Sequence, residues 1–284
     1  MKWLITGAAG MVGSDLHHAL TKRGEDVVAL RKSDLDITDS RCVQQAVDDA
    51  RPDIIVNCAG YTRVDDAESN EAVATAINGS SVELLAEAAN QQRARLVHLS
   101  TDFVFDGRKR APYEINETTS PLSAYGRSKR LGEIAASHAK RSTVVRTSWL
   151  FGRGGPNFVE AIRNQIRKGT NPLRVVEDQR GRPTYTPHLA EAIIRIANLD
   201  ADGIVHYADE PECTWYDFAR AIAEELGSDV TVKPVTTADF PRPATRPAYS
   251  VLSTERYERI TGVRPESWRE GLREYLVETG NVEC

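Results

Sequence analysis

Three glycines close to the first residue constrain the fold of this chain more than any other feature. The run Thr6-Gly7-Ala8-Ala9-Gly10-Met11-Val12-Gly13 follows a short apolar stretch and precedes apolar residues at helical spacing. Glycines at these intervals permit a tight turn, close approach of the backbone to a pyrophosphate, and close packing of a helix on a strand. The start of the helix then offers unpaired N–H groups to an anion. The run therefore predicts a dinucleotide site at Gly7, Gly10, Met11, Val12 and Gly13.

Short apolar runs alternate with helical patterns along the first half of the chain. The predicted strands lie at 2–6, 26–30, 53–59, 95–100 and 142–149, and the predicted helices begin at Met11 and span 71–91 and 120–138. Ile54, Ile55 and Val56 form a continuous apolar run, which suits a parallel strand buried on both faces. Repetition of strand, helix and strand predicts an α/β fold, a Rossmann-type doubly wound parallel sheet.

The regular alternation weakens after Trp149, where Gly152-Arg153-Gly154-Gly155-Pro156 forms a turn-rich break. Later patterns predict helices at 157–168, 188–198 and 215–226, strands at 174–176 and 204–207, and two short helices after them. We expect a dinucleotide-binding Rossmann domain over 1–150, to which 174–200 returns, and a smaller C-terminal substrate-binding lobe over 151–173 and 201–284. Such a lobe would lie over the carboxyl edge of the sheet, where open α/β sheets bind their ligands.

Composition excludes several classes of function. The formal charge of −5 and the lack of any basic run give no reason to expect a nucleic-acid partner. No apolar run approaches the roughly 18 to 20 residues that span a bilayer, and no secretory signal is recognisable. The cysteines at 42, 58, 213 and 284 form no Cys-x-x-Cys pair, which indicates ordinary thiols in a cytoplasmic protein. The six histidines have no zinc-binding spacing, so no metal is predicted.

The end of the second predicted strand bears on the choice of cofactor. A carboxylate there favours NAD through the adenosine ribose, whereas cationic groups favour the 2′-phosphate of NADP. This strand ends Leu30-Arg31-Lys32, with no acid at that position. We predict a preference for NADPH over NADH, with Arg31 as the main contact; a solvated pair of surface cations is the other interpretation. Asp36 and Ile37 follow in a loop and are candidates to flank the adenine.

The stretch Tyr125-Gly126-Arg127-Ser128-Lys129 places a phenol and an ammonium on one face of a predicted helix. An ordinary tyrosine has a pKa of about 10. A fixed cation would lower the pKa of Tyr125 toward the range in which proton transfer is efficient. The pattern alone is common on surface helices, so its meaning depends on its neighbours.

Two further polar residues supply that context. Thr101 ends the fourth predicted strand, where its hydroxyl could hydrogen-bond a substrate carbonyl. Asn78 lies on the preceding helix and could bind a backbone carbonyl or hold a water linked to Lys129. With the glycine loop, these residues predict a hydride-transfer site. The cofactor would supply the hydride, Tyr125 the proton, Thr101 the polarising contact and Lys129 the orientation.

On these residues the chain resembles the extended short-chain dehydrogenase/reductase family and, more closely, the dTDP-4-dehydrorhamnose reductase family within it. The matching stretches cover nearly the whole chain and lie at 35–38, 51–57, 61–68, 100–107, 146–149, 178–181 and 246–247. The run Ser100-Thr101-Asp102-Phe103-Val104-Phe105-Asp106-Gly107 and the later Arg246-Pro247 discriminate better than the general family motifs.

The resemblance implies an enzyme that reduces the C4 ketone of dTDP-6-deoxy-L-lyxo-4-hexulose to dTDP-L-rhamnose. It implies that Thr101, Tyr125 and Lys129 are catalytic. Thr101, Asp102 and Trp149 would contact the sugar, while Ala59, Gly60 and Tyr61 would lie along the cofactor. It leaves open a homodimer, because some relatives join through a magnesium ion held by carboxylates.

One substrate contact and two rival functions stay open. Arg246 lies in a proline-rich loop and could bind the substrate pyrophosphate through its bidentate fork or form a structural ion pair. A related reductase or epimerase acting on another nucleotide sugar would use the same site. A non-catalytic subunit is the other alternative, because regulatory subunits of methionine adenosyltransferase resemble this family and act by binding a partner.

Overall fold

The computed structural model describes residues 1–280. The strands in chain order are β1 (Lys2–Thr6), β2 (Asp26–Leu30), β3 (Ile54–Asn57), β4 (Arg95–Thr101), β5 (Ser142–Thr147), β6 (Leu150–Phe151), β7 (Leu173–Val176), β8 (Arg180–Gly181), β9 (Thr184–Tyr185), β10 (Gly203–His206), β11 (Cys213–Thr214) and β12 (Val232–Val235). The α-helices are α1 (Met11–Lys22), α2 (Ser40–Ala50), α3 (Val64–Ala67), α4 (Glu71–Thr75), α5 (Ser81–Gln92), α6 (Ala124–Ala136), α7 (Phe158–Arg167), α8 (Thr186–Asn198), α9 (Trp215–Glu225), α10 (Glu255–Thr261) and α11 (Trp268–Glu278).

Six strands form the central sheet in the order β2-β1-β3-β4-β5-β10, and every neighbouring pair is parallel. The chain leaves β1 toward β2 and then returns to β3 on the other side of β1. The strand order therefore reverses beside β1, and a sheet of this kind binds ligands in the crevice at that point. This arrangement confirms the predicted Rossmann-type fold.

Helices cover both faces of the central sheet, as a parallel sheet requires. On one face α1 and α8 pack together over β1 and β4, with Leu16 and Ile193 fully buried between them and the sheet. On the other face α2, α5 and α6 bury a second cluster that includes Val43, Leu85 and Ala136. The inner strands β3 and β4 thus bury both sets of alternating side chains, which explains their continuous apolar runs in the sequence.

Two strands correct the predicted domain boundaries. We expected β7 to return to the Rossmann domain, but it pairs with β12 in a separate two-stranded sheet. We placed β10 in the lobe, but it pairs with β5 at the edge of the central sheet. The reason is that α8, packed beside α1, brings the chain back to the sheet, so the strand after α8 completes another crossover.

The remainder of the second half packs around its own apolar core. Phe151, Phe218 and Trp268 are fully buried there, and three two-stranded sheets, β6-β9, β7-β12 and β8-β11, lie around them. Within the described part of the chain, no helix is long and apolar enough to cross a membrane.

Several element boundaries differ from the prediction. The helix expected over 71–91 is interrupted by a π-helical turn, Ala76–Ser80, between α4 and α5. The helix α2 was not predicted, although Asp39 caps its first N–H groups and Val43, Val47 and Ala50 share a buried face. The strand β5 ends at Thr147, two residues before its predicted end, because Trp149 has a left-handed φ of 47°.

Candidate active site

The glycine loop fits a bound anion in its backbone geometry. Gly7 has a φ of 66°, and a Cβ there would lie 2.6 Å from the backbone nitrogen of Ala59 at the end of β3. A Cβ on Gly13 would lie 2.4 Å from the carbonyl oxygen of Gly7, so only glycine allows α1 this close to the turn. Gly10 caps α1 without a side chain, and the first turn, which begins with Met11 and Val12, contains no acid. No side chain bonds the first N–H groups of α1, so this positive end of the helix is available to a pyrophosphate.

The end of β2 presents its cations to solvent. Arg31 and Lys32 are both exposed. Asp34, three residues after Arg31, accepts hydrogen bonds from the Arg31 N–H (2.9 Å) and the Ser33 hydroxyl (3.0 Å), which lower its pKa. This carboxylate is therefore used in closing the turn, and the contact of Arg31 with a ribose phosphate stays a prediction.

The two residues predicted to flank the adenine differ in exposure. Asp36 is exposed, and hydrogen bonds from the hydroxyl and N–H of Thr38 lower its pKa. Ile37 is 8% exposed and packs in the apolar cluster beneath α2 and α5. Only a small part of the Ile37 side chain is therefore left to contact a ligand.

Asn78 connects the segment after β3 to the helix α6. Its Oδ1 accepts from the Tyr61 N–H at 2.7 Å, and its Nδ2 donates to the Tyr61 carbonyl at 3.0 Å and to the Ser128 hydroxyl at 2.9 Å. The predicted contact with a backbone carbonyl is thus present, but both amide hydrogens are taken by protein groups. Asn78 therefore positions Tyr61 against α6, and its predicted contact with the cofactor stays a prediction. Asn78 lies in the π-helical turn Ala76–Ser80, and such turns are frequent at functional sites.

Thr101, Tyr125 and Lys129 come together where β4 ends and α6 begins. Thr101 is 6% exposed and caps the short turn that follows it, accepting from the Phe103 N–H at 3.2 Å. The ring of Tyr125 packs edge-on against Phe103 with centroids 5.8 Å apart. Lys129, 6% exposed, donates from Nζ to the carbonyl of Leu99 in β4. The strand and the helix thereby fix the hydroxyl, the phenol and the ammonium relative to one another.

Contacts at the N-terminus of α6 hold Tyr125 in place. The Ser123 hydroxyl accepts from the Gly126 N–H at 3.1 Å, and Glu68 accepts from the Ala124 N–H at 2.8 Å. A Cβ on Gly126 would lie 2.3 Å from the Phe103 carbonyl oxygen, so glycine is required for this approach. The first turn of α6 therefore has little freedom to shift.

The expected lowering of the Tyr125 pKa is wrong in this structure. Burial raises the pKa of Tyr125 to about 12, and the adjacent Thr101 hydroxyl acts in the opposite direction without reversing it. Burial also lowers the pKa of Lys129 to about 8. The phenol is therefore protonated at neutral pH, which is the form that can donate a proton.

Asp102 has the most unusual environment of the predicted substrate contacts. Its side chain is 2% exposed, and Oδ1 accepts from the Thr101 hydroxyl at 3.0 Å. Among residues 1–280, its Oδ2 has no hydrogen-bond partner. Burial raises the pKa of Asp102 to about 7, although the nearby Ser250 hydroxyl favours the charged form. Buried polar atoms usually have partners, so this carboxyl is held beside Thr101 and Ser250 in surroundings that disfavour its charge.

Trp149 is packed against the protein on one ring face. Its indole stacks on Trp215 with centroids 3.6 Å apart and ring planes within 6°. A Cβ on Gly181 would lie 2.5 Å from its Cε2 atom, so the backbone there also touches the ring. Trp215 therefore covers one face of the indole, and only the remaining surface of Trp149 is left for the predicted sugar contact.

Arg246 forms the ion pair that was the alternative to binding substrate. Its Nη1 and Nη2 lie 2.9 Å from Oδ1 and 2.9 Å from Oδ2 of Asp65. Neither Asp65 nor Ser250 was singled out from the sequence. Asp65 lies within a stretch that resembles the family, but the identity of its partner depends on the fold. For the described residues, no group of three or more His, Cys, Asp or Glu side chains is placed to hold a metal ion.

Similarity to known proteins extends over nearly the whole chain. The family model described as RmlD substrate binding domain matches residues 1–280. A probable dTDP-4,6-dihydroxy-2-methyloxan-3-one 4-ketoreductase of Streptomyces antibioticus is 47% identical over 279 residues, covering 96% of this chain and 94% of that protein. A dTDP-4-dehydrorhamnose reductase of Streptomyces griseus is 42% identical over 283 residues, covering 96% and 92%.

A solved structure provides a further comparison. The dTDP-4-dehydrorhamnose reductase of Bacillus anthracis in complex with NADP is 36% identical and has a TM-score of 0.93. The match covers 98% of this chain and 99% of that one. The match of the family model and the identity of the relatives extend over nearly the whole chain. The chain therefore belongs to the dTDP-4-dehydrorhamnose reductase family and is a reductase of the extended short-chain type.

Proposed function

We propose that this enzyme reduces the C4 ketone of dTDP-6-deoxy-L-lyxo-4-hexulose to dTDP-L-rhamnose, with Tyr125 as the proton donor. The carrying observation is the placement of Thr101, Tyr125 and Lys129 beside a glycine loop suited to a dinucleotide. Family membership supports the substrate class, because relatives with 39–47% identity over nearly the full chain include several dTDP-4-dehydrorhamnose reductases.

NADPH or NADH supplies the hydride when bound. Thr101 is placed to hydrogen-bond the ketone oxygen and polarise it. Tyr125 donates its proton to the oxygen as the alcohol forms, and its protonated state at neutral pH suits this role. Lys129, one turn along α6, stabilises the phenolate that remains, and its bond to the Leu99 carbonyl keeps the ammonium oriented.

The predicted substrate contacts differ in how far other protein groups already occupy them. The carboxyl of Asp102 lies beside the Thr101 hydroxyl, and its buried Oδ2 would gain a hydrogen bond where substrate binding brings a sugar hydroxyl against it. Trp149 offers the part of its indole that Trp215 leaves uncovered. Arg246 would have to share or exchange its bonds to Asp65 in order to bind a diphosphate.

A second candidate substrate has a specific observation in its favour. The relative at 47% identity is named for dTDP-4,6-dihydroxy-2-methyloxan-3-one. This ketone has hydroxyls at positions 4 and 6 of its ring and none at position 5, which is one hydroxyl fewer than the hexulose carries. The same catalytic groups could reduce that ketone. The identity of the sugar therefore requires a direct comparison of the two substrates.

The assay combines purified protein, NADPH or NADH, dTDP-4-keto-6-deoxyglucose and a 3,5-epimerase, and follows loss of the reduced nicotinamide absorbance. Oxidation that requires every component, with dTDP-L-rhamnose as product, supports the proposal. Faster turnover of the ketone that lacks the extra hydroxyl would transfer the function to the second candidate. An epimerised sugar formed without net oxidation when the 3,5-epimerase is left out would indicate an epimerase, and cofactor binding without turnover would favour a partner-binding subunit.

The cofactor preference gives a separate prediction. Replacing Arg31 by Ala should lower the ratio of kcat/KM for NADPH to that for NADH by about tenfold or more, because a charged hydrogen bond to the 2′-phosphate is lost. Arg41→Ala is the matched control, since Arg41 is an exposed arginine on α2. Equal kcat/KM values for NADPH and NADH in the unchanged enzyme would contradict the predicted preference.

The ammonium of Lys129 predicts an alkaline limit to activity. Burial lowers its pKa to about 8, while the nearby Glu133 and Cys58 act to raise it. As the pH rises through this value, Lys129 loses its charge and no longer stabilises the phenolate. Tyr125, with a pKa of about 12, stays protonated over this range. We expect kcat to fall with an apparent pKa near 8, whereas a kcat that is constant to about pH 10 would contradict this assignment.

A further inference from the structure

A segment near the end of the chain crosses from the lobe to the catalytic strand. Residues 244–250, here called the strap, run alongside β8, with the Arg180 N–H donating to the Ala248 carbonyl and the Ser250 N–H to the Arg180 carbonyl, both at 2.8 Å. On its other side, the Tyr249 N–H donates to the Gly107 carbonyl at 3.2 Å. The strap therefore bridges β8 and the turn at Gly107.

One carboxylate fastens the beginning of the strap. Asp65 accepts two bonds from the Arg246 guanidinium, both at 2.9 Å, and one from the Ala244 N–H at 3.2 Å. Arg242 adds a longer contact of 3.8 Å. These donors lower the pKa of Asp65, with Arg246 as the largest cause. A bidentate pair of this kind fixes orientation as well as distance.

The far end of the strap reaches the candidate sugar site. A Cβ on Gly107 would lie 2.5 Å from the Cα of Pro247, so the strap sits directly on this turn. Three residues later, the buried Ser250 hydroxyl lies beside the Asp102 carboxyl. The position of the Asp102 carboxyl next to Thr101 therefore depends on where the strap lies.

Asp65 also belongs to a part of the molecule that contacts the catalytic helix. It lies on α3, and Glu68, the residue after this helix, accepts the Ala124 N–H at the start of α6. Asp65 therefore ties the strap to the same segment that supports Tyr125. A carboxylate without substrate chemistry of its own links the sugar side of the cleft to the proton donor.

We propose that Asp65 is a positioning residue for the nucleotide sugar, acting through Arg246 to hold the strap across the cleft with Ser250 against Asp102. The inference rests on the proposed function and adds a residue to it. In this arrangement Arg246 serves the sugar by anchoring the strap. The competing arrangement has Arg246 binding the diphosphate directly, independently of Asp65.

The two arrangements differ in whether the effects of the two residues add. The experiment compares Asp65→Asn, Arg246→Ala and the double variant in KM and kcat for the nucleotide sugar, and in dTDP affinity measured by calorimetry with NADP+ present. We expect each single change to raise KM about tenfold with the NADPH affinity unchanged, and the double variant to be no worse than Arg246→Ala. Glu71→Gln is the control, because Glu71 forms a similar bidentate pair with Arg127 but does not touch the strap.

Two outcomes would overturn the proposal. Asp65→Asn with an unchanged KM would show that the anchor does not matter for the sugar. Additive effects in the double variant would show that Arg246 acts on the substrate by itself. If the unchanged enzyme binds dTDP but does not reduce the sugar, the proposed function alone fails. The dTDP affinities of the single and double variants then show whether the effects of Asp65 and Arg246 add. If it binds no dTDP, both proposals fail.

Discussion

Replacing Tyr125 by Phe should lower kcat by about 10² to 10⁴ while leaving cofactor affinity nearly intact. The ring keeps its edge-on packing against Phe103, so only the hydroxyl that donates the proton is lost. Steady-state kinetics give kcat, and titration of reduced nicotinamide fluorescence gives the affinity.

The control for this variant is Tyr257→Phe. Tyr257 is 2% exposed and lies on α10, so the change removes a buried hydroxyl outside the site. Its kcat should stay close to that of the unchanged enzyme. Full activity of Tyr125→Phe would remove Tyr125 from the mechanism, whereas an equal loss in both variants would point to a general effect on folding.

Replacing Glu133 by Ala should lower the free energy of unfolding by about 3–5 kcal/mol. Glu133 on α6 forms a bidentate pair with Arg146 on β5 at 2.7 and 2.8 Å, and accepts from the Ser100 hydroxyl at 2.7 Å. The side chains of Glu133 and Arg146 are 1% and 2% exposed. Removing the carboxylate leaves a cation buried without its partner, which is the costly step. Urea unfolding, with the midpoint and slope compared, measures the loss.

Two further variants separate burial from charge pairing. Glu133→Met combined with Arg146→Met removes both charges and should recover much of the loss, because no unpaired ion remains. Glu71→Ala breaks the bidentate pair with Arg127, whose side chains are 46% and 44% exposed, and should cost no more than about 1 kcal/mol. If Glu133→Ala loses no more stability than Glu71→Ala, the buried pair does not have the expected role.

The central sheet could be predicted because each of its strands carries a local signal. Ile54, Ile55 and Val56 are apolar on both faces, and the glycines after β1 require a turn that only a few folds use. The partner strands of β7 and of β10 could not be predicted in this way. Short strands of four residues look alike in sequence, and their neighbours are set by the packing of α8 far along the chain. The Rossmann core was therefore accessible from the sequence, and the division into lobes was not.

The same distinction applies to the site. The positions of Thr101, Tyr125 and Lys129 followed from motif spacing, and the structure brings them together. The direction of the Tyr125 pKa did not follow, because it depends on burial, which spacing does not reveal. The partners of Asn78 and Arg246 were likewise hidden, since each lies on another segment of the folded chain.

The stacked indoles of Trp149 and Trp215 give this enzyme an intrinsic fluorescence signal that depends on its conformation. Face-to-face rings at 3.6 Å perturb each other's absorption and emission, and these two join the end of β5 to the first residue of α9. Trp3 is fully buried in the central sheet and supplies a constant background. A ligand that separates the central sheet from the lobe, even slightly, would therefore change the intrinsic fluorescence without any added dye.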